Sequence, residues 1–219
     1  MFSLIEYIIQ KGVPQETIVL ILMLPIIATV IAFVRQIIGW KAFGIYTPLI
    51  SAFAFWAIGL KYGLIIFTIV LLVGILLRFL IKHLRLLYLP RIAIVLTGVA
   101  LSILILLFIV AAIGENNLLK TSIFPILIII SLLEEFIGVQ TKKGFKSAVI
   151  VSLETVFLSI ICYYLIIWPW LQDILLNYPW LMLLTVVFNI ALGKWIGLRL
   201  SEYFRFSQVI KHVELSKKK

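Results

Sequence analysis

Charge is what this sequence has least of. Only 13% of its 219 residues are Asp, Glu, Lys or Arg, where soluble domains carry about 25%. Asp173 is the sole aspartate, Cys162 the sole cysteine, and His83 and His212 the two histidines. One cysteine allows no intrachain disulfide and no thiolate zinc site. An intramembrane aspartyl protease needs two carboxylates in apolar runs, and the one Asp lies in a polar loop. A rhomboid-like serine protease needs a histidine base inside the membrane, but both histidines lie in polar segments. Bis-histidine haem is excluded for the same reason. No HExxH, P-loop or GxGxxG occurs. The reading is therefore non-enzymatic, at most a non-catalytic subunit, with no cofactor, no metal and no catalytic residue.

What is abundant is apolar. Hydrophobic residues make up 64% of the chain, against about 45–50% in soluble domains. A soluble fold of this length has no room to hide that surface, so lipid must be the solvent for most of it. An apolar stretch of about 20 residues is enough for one spanning helix. Seven are predicted, from Thr17 to Val34, Ala42 to Leu60, Tyr62 to Ile81, Ile92 to Ile113, Leu118 to Leu133, Ser147 to Trp168 and Pro179 to Leu198. The fifth is short and either continues through Glu134-Glu135 or is broken. Cys162 sits in the sixth and reads as an inert buried thiol. The organisation is a short interfacial segment over 1–15, a seven-helix domain over 16–205 and a basic cytosolic tail over 206–219. Ser3-Leu4-Ile5-Glu6 fits a capping box opening the interfacial helix, which ends near Gly12-Val13-Pro14. A retinal protein needs a lysine near mid-membrane, and Lys194 is too close to a span end. A G-protein-coupled receptor would carry longer intracellular connections.

The net charge of +10 belongs with the membrane and not with nucleic acid. No basic run is interleaved with aromatics. With the N-terminus outside, the inner segments hold Arg35, Lys41, Arg78, Lys82, Arg85, Arg91, Lys142, Lys143 and Lys146. They also hold Lys194, Arg199, Arg205, Lys211 and Lys217 to Lys219. The outer segments hold only Lys11, Lys61 and Lys120. Such asymmetry orients a polytopic protein, here with a cytosolic C-terminus.

Two stretches repeat a pattern. Thr47-Pro48 is followed by Gly59 to Gly63, a long span, Leu89-Pro90 and a span with Thr97. Phe124-Pro125 is followed by Gly138 to Gly144, a long span, Tyr178-Pro179 and a span with Thr185. Each unit, about 42–113 and 118–198, holds three helices, so the two run in opposite senses. The expected fold is all-α: one extra helix plus two inverted three-helix repeats. Paired Pro-interrupted spans in inverted repeats point to a substrate passage, which places Thr47, Pro48 and Pro125 beside it. Glu154, inside the sixth span, is costly as a charge and should face protein, either protonated or paired. Arg78 either snorkels to headgroups or contacts an anion. Glu134 and Glu135 are either interfacial or face Arg78. Arg35, Arg91, Lys142, Lys143, Arg199 and Arg205 are candidates for a cytosolic partner or an anion.

Several blocks carry a family resemblance. They are Arg35-Gln36-Ile37-Ile38-Gly39, Ala42 to Pro48, Gly74 to Arg78, Leu86 to Arg91, Ile123 to Leu127 and Gly193 to Phe206. Together they resemble a bacterial seven-helix membrane domain usually fused behind an inactive transglutaminase-like domain. With about 15 residues before the first span, that soluble domain is not expected here. Where the family has a Glu-Arg pair after the fifth span, this chain has Glu134-Glu135. Gly44 to Pro48, Gly63, Arg78 and Arg91 are also similar to the membrane C subunit of poly-γ-glutamate capsule synthesis systems. These resemblances imply a membrane subunit of a peptide or polyamino-acid synthesis or export system. It would give passage or anchorage beside a cytosolic ATP-dependent ligase, with other membrane subunits or further copies of itself as additional partners. The alternatives are a non-transporting scaffold and a small-solute transporter with inverted repeats.

Overall fold

The computed structural model describes residues 7–81, 87–114 and 123–194. Among the described residues there is no strand. The helices are α1 (Gln15–Phe33), α2 (Tyr46–Ile58), α3 (Leu60–Ile81), α4 (Tyr88–Ile113), α5 (Ile123–Lys143), α6 (Phe145–Ile166), α7 (Pro169–Asn177) and α8 (Leu181–Gly193). A π-helical turn, Val34–Ile38, extends α1. Among the described residues five stretches are long and apolar enough to cross a membrane: Gln15–Ile38, Leu60–Ile81, Leu89–Ile113, Phe124–Lys143 and Phe145–Ile166. The bent pair α7–α8 makes a sixth if taken as one span, and the 13-residue α2 is a shorter apolar helix. Residues 7–10 are helical and are closed by a turn at Gly12 (φ 97°). The capping box at Ser3 to Glu6 and the tail over 206–219 lie outside the described residues.

Three spans bear comparison with expectation. The second was expected over Ala42 to Leu60, but its helix is only Tyr46–Ile58. Gly39 (φ 91°) and Gly44 (φ 53°) take left-handed conformations that end one helix and delay the next. The non-helical backbone between them carries the buried Ala42 and Phe43. Irregular backbone at membrane depth is tolerated where protein covers it. Of the courses expected for the fifth span, the first is seen: α5 runs on through Glu134-Glu135 to Lys143. The described part of the seventh, expected over Pro179 to Leu198, is α8, and α7 before it meets α8 at 105° across Tyr178-Pro179. Trp168, Trp170, Tyr178 and Trp180 are all exposed around this break, the pattern of an aromatic belt at a membrane–water interface.

Chain contacts divide the protein into two compact units. One comprises Met1–Leu49 with Tyr164–Lys219, and the other Ile50–Tyr163. In the first, α1 packs against α7 and α8. Thr29 ties two of these helices together. Its hydroxyl donates to the Pro25 carbonyl at 2.7 Å and accepts from Asn189 Nδ2 at 2.7 Å. Gln36, on the π-turn, donates to the Leu192 carbonyl at 3.3 Å.

In the second unit, α3 packs on α4 and α5. Lipid tails are as apolar as leucine, so close packing between helices must hold them, and small residues permit it. Gly98 of α4 lies under the Leu77 side chain, and Gly74 of α3 under Leu133 of α5. Any Cβ at either glycine would overlap these leucines. Gly74 meets Leu133, and one turn later Arg78 meets Ile137. Both helices advance together, so α3 and α5 run in the same direction, with α4 returning between them.

Two corners share one design. Gly59 (φ 90°) alone separates α2 from α3, and Gly144 (φ 86°) alone separates α5 from α6. At the first, Gly59 N–H donates to Phe55 O (2.8 Å) and Gly63 N–H to Gly59 O (2.9 Å). At the second, Gly144 N–H donates to Gln140 O (3.0 Å) and Ala148 N–H to Gly144 O (3.2 Å). Gly59 precedes α3 and Gly144 follows α5, so the parallel run of these helices puts the corners at opposite ends of the unit.

Candidate functional site

The last turns of α3 and α5 build a polar junction in the second unit. Ile137, Gln140 and Thr141 are spaced i, i+3, i+4 and share a face of α5. Arg78 reaches all three. Its Nη1 donates to the Ile137 carbonyl at 3.1 Å and to Gln140 Oε1 at 2.6 Å, and its Nη2 to Thr141 Oγ1 at 2.8 Å. None of these acceptors carries charge. A planar guanidinium suits such a set, because its donors form a rigid fork. The Gly74–Leu133 contact one turn away brings the two helices close enough for the arginine to bridge them.

Beside this junction lies a cavity of about 480 Å³, lined by Ile75, Arg78, Phe79, Arg91, Gln140 and Phe145. Arg91 arrives from the first turn of α4 and Phe145 from the start of α6. The Phe145 ring stands edge-on to the buried Phe136, 6.2 Å between centroids. Two arginines and one amide in an otherwise apolar wall form a concave place for an anionic group. They leave no nucleophile or general base there. Among the described residues no three His, Cys, Asp or Glu side chains gather to hold a metal ion.

The expected site residues separate as follows. Arg78 and Arg91 share the cavity. Lys142 and Lys143, both exposed, follow Thr141 at the same end of α5. Glu134 and Glu135 are exposed in the middle of α5, and the acceptors that hold Arg78 lie beyond them. The option that they face Arg78 is replaced by Gln140 and Thr141. Glu154 is half-buried near the middle of α6. Its neighbours Ser152, Thr155 and Ser159 are buried, and the last two bond back to Val151 O and Thr155 O. Glu154 does not line the cavity.

Pro48 and Pro125 were expected to interrupt spans. Both are instead the third residue of their helices, α2 and α5, and both are buried. The first-turn N–H groups have no intrahelical partner to lose, so proline starts these helices without breaking them. Thr47 is half-buried beside Pro48, and Arg35 is half-buried on the π-turn. These three belong to the first unit. Arg199 and Arg205 lie outside the described residues.

Gln140, Thr141, Phe79 and Phe145 were not anticipated. The i, i+3, i+4 spacing of Ile137, Gln140 and Thr141 was the available signal, but it speaks only once the helix is carried past Glu134-Glu135.

Apolar helices of spanning length and small residues under leucines define a multi-pass α-helical membrane protein. Residues 1–210 match the family described as seven transmembrane helices usually fused to an inactive transglutaminase. The chain belongs to this family. No curated protein and no solved structure matches it.

Proposed function

We propose that the chain is the non-catalytic membrane subunit of a system that makes or exports an acidic peptide or polyamino acid. A soluble ATP-dependent ligase supplies the bond-forming chemistry. The observation that carries this reading is the gathering of Arg78, Arg91, Lys142 and Lys143 at one end of α3, α4 and α5. Basic groups concentrated at one membrane face attract an anionic product or an acidic partner surface. By the charge rule that face is cytosolic, with the N-terminus outside and the membrane a bacterial plasma membrane. A reporter fused after Lys219 is expected to be active only in the cytosol. Activity in the periplasm would reverse the orientation.

The function is tested by deleting the gene in its host and measuring acidic polymer in the medium and envelope. Deletion is expected to abolish it, and the intact gene to restore it. Glu154→Gln keeps shape but cannot ionise, and is expected to restore at most about a tenth, equivalent to ~1.4 kcal/mol on the limiting step. Unchanged polymer after deletion overturns the reading. Full restoration by Glu154→Gln removes only the role of Glu154 in passage.

The two glycine corners favour one second reading. They fall at corresponding places in the proposed repeat units 42–113 and 118–198, at opposite ends of the second unit. Inverted repeats of this kind support alternating access for a small solute.

A further inference from the structure

Between α6 and α8 the chain makes a detour that neither helix needs in order to cross a membrane. α7 has nine residues, about 13 Å at 1.5 Å per residue, and stands close to a right angle to α8. Both of its ends are tied by hydrogen bonds. Gln172 Nε2 donates to the carbonyl of Ile166, the last residue of α6, at 2.6 Å. Past α7, Tyr178 N–H donates to Ile174 O (2.8 Å), Leu181 N–H to Tyr178 O (3.0 Å) and Leu183 N–H to Trp180 O (2.9 Å). The corner is therefore a built turn. α7 packs on α1, and its Leu175 is buried. Trp170, Asp173 and Asn177, spaced i, i+3 and i+7, share an exposed face roughly opposite Leu175. Trp168, Tyr178 and Trp180 are exposed at the two ends, and the Trp168 and Trp170 rings lie 5.8 Å apart. Immediately beyond, α8 exposes Leu183, Leu184, Val186 and Val187, a surface for hydrocarbon.

Three layers could hold this helix. In hydrocarbon, as a re-entrant segment, it would set Asp173 and Asn177 against acyl chains, where a carboxylate is costly. In bulk water it would leave three indoles and a phenol exposed with nothing apolar to meet. In the headgroup layer both sets are used: ring bodies reach the edge of the acyl region, and the polar face turns to water. We infer that α7 lies flat in the headgroup layer and that Trp168, Trp170, Tyr178 and Trp180 form its lipid-binding surface. The partner is the phospholipid interface itself. Indole N–H and phenol O–H groups donate to the ester and phosphate oxygens that all phospholipids share, so lipid charge is not what is recognised. The near-perpendicular corner lets one element lie in the plane while the next descends, so the seventh crossing starts only at Trp180-Leu181. Leu175 and the Gln172–Ile166 bond then fix unit and bilayer to a common depth. This inference goes beyond the proposed function and does not depend on it: a scaffold, a transporter or a ligase partner would each carry the same anchor.

The test uses the full chain in phosphatidylcholine vesicles, with a nitroxide on single introduced cysteines. Cys162 is completely buried, so wild type is expected to take no label and serves as the blank. Asp173→Cys and Asn177→Cys probe the polar face of α7, Leu183→Cys and Val187→Cys the exposed side of α8, and Trp170→Cys and Trp180→Cys the aromatic level between. Collision with a water-soluble nickel chelate, divided by collision with oxygen, is read by power saturation. The ratio is expected to be at least about fivefold higher at 173 and 177 than at 183 and 187, with 170 and 180 in between. Positions 173 and 177 are expected to agree within about twofold, because a flat helix holds them at one depth. Ratios at 173 and 177 as low as at 183 and 187 would make α7 re-entrant and overturn the inference. A steep fall from one to the other would tilt it out of the plane, with the same consequence. Ratios at 170 and 180 as high as at 173 would put the aromatics in water and remove the lipid surface. Two positions stand for each layer, all of them exposed, so one variant that fails to fold leaves the result decidable. Acidic polymer in the host is a separate readout, so failure here and failure of the proposed function are distinguishable.

Discussion

Gly74→Leu is expected to destabilise the protein by about 3 kcal/mol, the upper end for overpacking a well-packed contact. A Cβ at position 74 already overlaps the Leu133 side chain, and a leucine adds three more carbons to a space that has none. The α3–α5 pair would have to separate, and the Arg78 bridge one turn away would be pulled apart with it. Gly74→Ala is the graded form. Only the end of Leu133 must move, so the cost should be nearer 1 kcal/mol. Leu133→Ala in the same chain should recover part of it. The measurement is thermal unfolding of the purified variants in one detergent, read as loss of the monodisperse peak after heating. A Gly74→Leu protein as stable as wild type would show that the close approach of α3 and α5 is not what holds the second unit.

Arg78→Leu is expected to cost about 3 kcal/mol by the same assay. Hydrogen bonds from a charged donor are worth about 1.5–3 kcal/mol each in water-soluble proteins, and polar contacts between membrane helices average nearer ~0.6. Three such bonds bracket that figure. Arg78→Lys separates charge from geometry. An ammonium keeps the positive charge but cannot extend a planar fork to the Ile137 carbonyl, Gln140 and Thr141 at once. It should lose roughly half as much stability as leucine. If lysine restores wild-type stability in full, the site needs only a charge, and the fork is incidental. If leucine is as stable as wild type, the arginine is a headgroup contact with no part in holding α3 to α5.

Long apolar runs were readable because crossing a membrane demands about 20 of them in succession. Hence α1, α3, α4 and α6 stand close to where hydropathy places them. What hydropathy cannot register is backbone conformation. Residues 42–45 are apolar enough to be helical, yet Gly39 and Gly44 turn the chain instead. Glu134-Glu135 reads as a membrane boundary by composition, while the helix ladder continues through the pair to Lys143. Leaving that continuation open also hid half of the site. Arg78 and Arg91 stood out as scarce charges near span ends. Gln140 and Thr141 resembled ordinary loop polarity until the helix put them on one face. The place of Pro48 and Pro125 in a first turn depends on where each helix begins, which no residue pattern around them made plain.

The 13 residues of α2 measure about 20 Å, and a hydrocarbon core is about 30 Å thick. Longer helices meet a thicker bilayer by tilting less, and a thinner one by tilting more. A helix already shorter than the core has no tilt to give up. Its slack is the irregular chain from Gly39 to Ile45, whose peptide groups tolerate hydrocarbon only under cover of neighbouring side chains. Bilayer thickness therefore acts on this protein where a helix is shorter than the core, as α2 is. Short-chain lipids would relieve α2, and long-chain or sterol-thickened ones would strain it, making the stretch before Tyr46 sensitive to the membrane it occupies.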